Sequence, residues 1–257
     1  MLNYNNEGDM DDEKGFVREI FGSFQGEGPY IGERHIFIRF YCCSLDCAYC
    51  DTKEARIKGA EAFIEEEAGK FAVVDNPLSA AAVARAALDL EPFPGYSQAV
   101  CVTGGEPLEQ PGFLAAVLRE LGGRLRVILE TNGTLPDALA RVRALVDVIS
   151  MDVKLPSVSG LGPLWDAHRA FIGARGDKEL VVKAVVSPET PLSEVAQAAA
   201  LVAEAAPDAA FIIQPLAAPA GKTEVTAGLL AGFYAEARRR VRTVRVIPQA
   251  HRMLGVK

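Results

Sequence analysis

The 257-residue sequence contains no apolar run as long as the roughly 18–20 residues that a helix needs to cross a bilayer, so no membrane span is expected. Positive charge is in the minority: 27 Lys and Arg stand against 34 Asp and Glu, for a net charge of −7. That balance argues against broad binding to nucleic acid or to an anionic membrane, while leaving room for a local basic pocket. Disulfides are not expected either. Four of the five cysteines crowd between positions 42 and 50, where one loop cannot easily reach disulfide geometry. Residues 1–14 are polar and acidic, with no apolar signal core or cleavage site; they read as a tail outside the fold, and the protein as cytoplasmic. There are no repeats and no low-complexity linker.

Apolar residues make up 49% of the chain and charged residues 24%, enough to bury a sizeable core. Residues 15–257 are expected to form one domain. Short apolar runs at 35–41, 99–103, 125–130, 146–151, 180–186, 211–214 and 244–247 read as strands. Most are continuously apolar, as in strands covered on both faces of a parallel sheet. Helical stretches at 79–90, 112–121, 136–145, 192–205 and 226–241 alternate with them. Ser79 is a plausible N-cap, and Pro136 suits a first helical turn. The alternation predicts an α/β fold with a parallel sheet. These strands are too few for a certain closed eight-strand barrel, so a partial parallel (β/α) barrel is expected, with the cysteine loop after its first strand. Residues 53–77 read as a charged, helix-prone insertion. Polar and glycine-rich segments follow the strand ends, where parallel α/β folds carry their sites.

The run RFYCCSLDCAYCDT at 39–52 places Cys43, Cys47 and Cys50 in C-x3-C-x2-C spacing. Three thiolates from one loop can hold three irons of a [4Fe–4S] cube and leave the fourth iron open to a non-protein ligand. Two other readings use the same cysteines. A structural zinc site would take Cys42 or Cys101 as a fourth ligand. A shift of register to Cys42, Cys47 and Cys50 gives a ferredoxin-type spacing, with Cys101 as fourth ligand. The run TGGEP at 103–107 follows a buried strand. Its glycines allow close backbone approach to a ligand, and Glu106 can accept from a ligand ammonium.

C-x3-C-x2-C followed by this GGE turn resembles the radical S-adenosylmethionine (SAM) superfamily. The segment EIFGSFQGEG at 19–28, Gly32, Phe37 to Arg39, Cys50 to Thr52, ETNGT at 130–134, Ser150 to Lys154, Gln214 with Pro215, and Gln249 to His251 together resemble the 7-carboxy-7-deazaguanine synthase family (QueE). These motifs span nearly the whole chain. The resemblance implies a [4Fe–4S] cluster on Cys43, Cys47 and Cys50, SAM, and Mg²⁺ at Thr52, whose hydroxyl is otherwise a candidate helix cap. It implies SAM contacts at Tyr49, Cys50, Asp51, Gly104, Gly105, Glu106, Ser150, Met151, Asp152 and Gln214, with Lys154 a further candidate. It implies substrate contacts at Phe24, Gln25, Gly26, Glu27, Arg39, Thr103, Glu130 and His251, with Arg39 on a substrate carboxylate. Glu130 could instead be a structural acid and His251 a packed residue; His35 and His168 read as structural.

The implied reaction converts 6-carboxy-5,6,7,8-tetrahydropterin to 7-carboxy-7-deazaguanine with loss of ammonia, in queuosine and 7-deazapurine biosynthesis. A homodimer served by a flavodoxin- or ferredoxin-type reductant is implied as well. The family usually has Gly where this chain has Cys42. The rival reading is a radical SAM activase that installs a glycyl radical on a partner enzyme, which needs a docking surface rather than a small-molecule pocket.

Overall fold

The structure, a computed structural model, describes residues 13–217 and 222–257. Most of the expected tail, residues 1–12, lies outside the described residues. Lys14 belongs to the fold: β1 (Lys14–Gly15) pairs with β6 (Leu78–Ser79). The main sheet has 10 strands. Its parallel part runs in chain order through β3 (Arg34–Phe40), β7 (Ala99–Gly104), β8 (Arg126–Thr131), β9 (Val148–Val153), β10 (Glu179–Val186), β11 (Ala210–Pro215) and β12 (Thr243–Val246). Each expected strand is present, with its ends moved by one or two residues.

Helices lie between these strands and after the last of them. They are α1 (Ala80–Asp89), α2 (Pro111–Leu121), α3 (Pro136–Val142), α4 (Pro156–Ser159), α5 (Trp165–Ala174), α6 (Leu192–Ala205), α7 (Ala227–Arg238) and the short α8 (Ala250–Leu254). Ser79 caps α1 by accepting from Ala82 N at 3.3 Å, and Thr226 caps α7 in the same way. Pro136 opens α3.

Two features differ from the expectation. β2 (Val17–Phe24) lies antiparallel beside β3, pairing Phe21 with Phe37 and Glu19 with Arg39. The cysteine loop therefore follows the first parallel strand but not the first strand of the chain. Residues 53–77 are not helical beyond one short turn. They form a hairpin of β4 (Glu61–Glu67) and β5 (Lys70–Asp75), turning at Gly69, whose φ is +77°. Glu and Ala favour helix, but Phe63 and Ile64 align with Glu19 and Ile20 of β2, and that pairing overrides local propensity.

The pleat sorts side chains into two cores. Ile36, Ile38, Val100, Val102, Leu129, Ile149 and Val182 face the helices in one cluster. Phe21, Phe37, Cys101, Ile128, Val148, Val181 and Ile212 form the other, on the opposite face. This second cluster joins β2 to β11, so the sheet curls around it. β5 and β12 remain unpaired edges, which makes the barrel partial. Among the described residues no helix is long and apolar enough to cross a membrane.

Candidate active site

Two residues beyond the inner apolar cluster, each strand carries a side chain on the same face near its C-terminal end. Phe37 leads to Arg39, Cys101 to Thr103, Ile128 to Glu130, Val148 to Ser150 and Asp152, Val181 to Lys183, and Ile212 to Gln214. All of these second residues line one cleft. The inner face thus changes from an apolar floor to a polar rim, and the rim is the candidate site.

The cysteine loop forms the opposite wall, with Cys43, Cys47, Tyr49, Cys50, Asp51 and Thr52 on the cleft. It is tied down by Cys43 N to Arg56 O at 3.1 Å and by Ala48 N to Ser159 O at 2.8 Å. Cys42 has φ +76°, the left-handed region that an L-residue enters at a cost, which explains why glycine suits this position. The Gly104–Gly105 turn packs directly on this loop. A Cβ on Gly104 would lie 2.3 Å from Phe40 O, and one on Gly105 2.1 Å from Cys42 O.

Among the described residues no three His, Cys, Asp or Glu side chains converge on a point where they could share one metal ion. A cube asks for something different, because each thiolate binds its own iron. The three cysteines present soft donors to one cleft from one loop, and Asn132 Nδ2 donates to Cys43 Sγ at 3.9 Å. Burial pushes the Cys43 and Cys47 thiols above their ordinary range, so a cation is what would ionise them. The donor set fits the cluster. Thr52 Oγ1 shares a long hydrogen bond of 3.8 Å with Cys50 Sγ and makes no helix-capping bond, so its oxygen keeps a lone pair for another partner.

Near the loop, Lys154 Nζ donates to Asp152 Oδ2 at 2.8 Å and to Tyr49 Oη at 3.1 Å. Burial works against the Lys154 charge, but Asp152, Tyr49 and Cys47 outweigh it and carry its pKa well up. Asp152 Oδ1 and Gln214 Oε1 are buried without a partner among the described residues, leaving two acceptors for a ligand's donors. His168 is structural, as expected: Lys154 N donates to its Nε2, and its Nδ1 bonds Gly133 O at 3.0 Å. His35 is buried at the far end of β3, away from the rim.

On the facing wall, Gln25 Nε2 donates to Glu130 Oε1 at 3.0 Å, and Gln25 Oε1 accepts from Glu27 N at 3.0 Å. Arg39 Nε donates to Glu19 Oε1 at 2.8 Å. Gly26 is packed against His251, leaving no space for a side chain. Phe24 sits half-exposed at the mouth. The C-terminal segment joins this wall, through Ala250 N to Gly26 O at 2.8 Å, to the cysteine loop, through Arg252 to Asp51 Oδ2 at 2.9 Å.

Two expected residues do not present side chains to the cleft. Met151 is turned by the pleat into the helix-side core, with its methyl group near Gly133. Glu106 is fully buried and bonded to Thr131 Oγ1 at 2.9 Å, Asn132 N at 2.7 Å and Leu108 N at 3.1 Å. Burial pushes its carboxyl up to about 7, against the pull of these donors.

Lys183, Asn132, Gln249 and Arg252 line the cleft without having been singled out as site residues. Lys183 pairs with Glu27, whose Oε1 also accepts from Gln249 Nε2 at 2.7 Å and Gln214 Nε2 at 3.2 Å. Burial alone would raise the Glu27 carboxyl, but Lys183, then Gln249 and His251, bring it down to about 2. The signal for Lys183 was a single charge inside an otherwise apolar strand.

The sequence model of the radical SAM superfamily matches residues 37–186. The 7-carboxy-7-deazaguanine synthase of Geobacter sulfurreducens is 38% identical over 242 residues, covering 93% of this chain and 96% of the relative. That of Thermococcus kodakarensis is 32% identical, covering 93% and 98%. Among solved structures, QueE from Escherichia coli aligns with a TM-score of 0.60 at 20% identity, covering 92% of this chain and 94% of that one. A radical SAM methyltransferase from Sphaerobacter thermophilus aligns at 0.58 with 14% identity, covering 90% and 77%, a likeness of fold. The chain therefore belongs to the radical SAM superfamily and, within it, to the 7-carboxy-7-deazaguanine synthase family.

Proposed function

We propose that the protein converts 6-carboxy-5,6,7,8-tetrahydropterin to 7-carboxy-7-deazaguanine with loss of ammonia, a lyase reaction of queuosine and 7-deazapurine biosynthesis. Membership of the radical SAM superfamily implies a [4Fe–4S] cluster and SAM. The observation that carries the substrate reading is the wall facing the cysteine loop, where Gln25, Glu27, Arg39 and Glu130 supply paired polar groups to one cleft. That set suits a small polar heterocycle bearing a carboxylate. It also favours the pterin over a glycyl-radical partner protein.

When bound, the cluster and SAM would supply the radical chemistry that removes hydrogen from the substrate. The protein's part is to bind, orient and exclude water. With Nε on Glu19, the Arg39 guanidinium keeps its terminal N–H groups for a carboxylate. Glu130 and Gln25 offer acceptors and donors for the pyrimidine edge. Asp152 and Gln214 direct their unpartnered oxygens to the hydroxyl and ammonium donors of SAM. Thr52 would hold Mg²⁺ through its hydroxyl, and the ion would supply positive charge for the substrate. The enzyme works in the cytoplasm as a homodimer, with a flavodoxin- or ferredoxin-type protein as reductant.

The test is anaerobic turnover of reconstituted protein with SAM, a low-potential reductant, Mg²⁺ and the carboxytetrahydropterin, followed by mass spectrometry. Formation of 7-carboxy-7-deazaguanine is expected. Cleavage of SAM to 5′-deoxyadenosine without that product would replace the substrate and favour the activase.

A further inference from the structure

A largely buried ion pair stands in the substrate wall. The Lys183 and Glu27 side chains are only 16% and 17% exposed. They come from distant parts of the chain, the middle of β10 and the turn after β2. Among the described residues Lys183 alone holds Glu27 Oε2, while Gln214 and Gln249 share Oε1. Both carboxylate oxygens are therefore held from β10, β11 and the segment before α8. The same residue's backbone N–H is fixed by Gln25, which in turn bonds Glu130. One carboxylate thus ties β10 and β11 to the turn at Gly26 and the C-terminal strap, and the backbone of the same residue reaches β8 through Gln25.

Ion pairs of this kind contribute little stability by themselves, because desolvation offsets the attraction. Losing one partner is worse than losing both, since a lone buried charge remains. A cost of that kind makes sense where the pair sets geometry. The nearby carboxylates of Asp152 and Glu130 support the Lys183 charge as well. Even so, among the described residues only Glu27 is in hydrogen-bond contact with it.

We propose that Lys183 is a positioning residue for the heterocycle: by holding Glu27 Oε2 it fixes the Gln25–Gly26–Glu27 turn, with Gln214 and Gln249, in the shape that receives the substrate. This rests on the pterin reading above and deepens it. Lys183 acts through Glu27, so the two residues form one unit in binding.

The experiment is a double-mutant cycle of the reconstituted holoenzyme: wild type, Lys183→Met, Glu27→Gln and the double variant. KM for the carboxytetrahydropterin, KM for SAM and the melting temperature are measured for all four. Lys183→Met is expected to raise the pterin KM on the order of tenfold or more, with a much smaller change for SAM. The double variant is expected to lose no more than Glu27→Gln alone, and to melt above Lys183→Met. Additive losses in pterin KM, or equal rises for both ligands, would overturn the proposal. If Lys183→Met does not fold, Glu27→Gln and the double variant decide: a further loss of pterin affinity between them overturns it. If the wild type turns over no pterin, the substrate reading falls. Additive melting shifts would then overturn the ordering role too, and a double variant that melts above Lys183→Met would uphold it.

Discussion

Glu106 N donates its hydrogen bond to Cys42 O, so the glycine-rich turn and the cysteine loop are joined backbone to backbone. Gly105 makes the approach possible. Its missing Cβ would fall 2.1 Å from Cys42 O and 2.8 Å from Ala55 O, and neither backbone atom can swing away as a side chain can. Gly105→Ala is therefore expected to destabilise the protein by about 1–3 kcal/mol and to lower cluster loading by displacing the loop. Urea unfolding and iron content per chain read both effects. An unchanged iron content would show that the two motifs are not mechanically linked.

Cys42 makes the opposite case. Its φ of +76° costs an L-residue roughly 1–2 kcal/mol, part of which a glycine returns through its looser unfolded chain. Cys42→Gly is expected to raise stability by about 0.5–1 kcal/mol and to leave iron content unchanged. Alanine at Cys43, Cys47 or Cys50 is expected to abolish cluster assembly. Loss of iron in Cys42→Gly together with its retention in Cys43→Ala would move the ligand set to the ferredoxin-type spacing.

The parallel strands were legible because burial on both faces leaves near-continuous apolar runs such as that at β7. The cleft was legible where a polar residue interrupts such a run, as Arg39, Thr103 and Glu130 do. Lys183 carries the same signal, but no motif marked it. β2 was hidden because Val17 to Phe24 mixes charges with apolar residues, and its partner is set by tertiary pairing. The hairpin at β4 and β5 was hidden because Glu-rich segments favour helix locally. Met151 and Glu106 show a further limit: motif membership does not say which way a side chain points. One is turned away by the pleat, and the other is consumed by three donors from its own chain.

Arg39→Ala is expected to weaken pterin binding by about 1.5–3 kcal/mol, the worth of a charge-assisted pair. The variant leaves Glu19 with a counter-charge, because Lys257 pairs with it too. The loss should therefore fall on the ligand rather than on the fold. Isothermal titration with pterin and with SAM separates the two sites. Equal losses for both ligands would remove Arg39 from the substrate carboxylate.

Thr52→Ala is expected to change the Mg²⁺ concentration needed for half-maximal turnover, since this hydroxyl makes no capping bond that it would have to give up. Its melting temperature should stay close to wild type. An unaltered Mg²⁺ response would take Thr52 out of the metal site.

Glu106 gives the ligand-free protein a pH dependence with a definite sign. Burial first, with Glu109 adding to it, raises the carboxyl from 4.5 to about 7, while Asn132, Leu108 and Thr131 pull it down. Between those two values the folded chain binds a proton that the unfolded chain has lost, so stability falls as pH rises. The fall should amount to on the order of 2–3 kcal/mol across this window. Glu27 acts in the other direction and lower down. Its carboxyl lies near 2 in the fold, so its contribution is complete above 4.5 and is lost as pH drops toward 2. The two windows do not overlap, which lets one series of urea titrations separate them. Glu106→Gln should flatten the upper window alone. An identical slope between pH 4.5 and 7 in wild type and Glu106→Gln would show that Glu106 is ionised throughout, held so by its three donors.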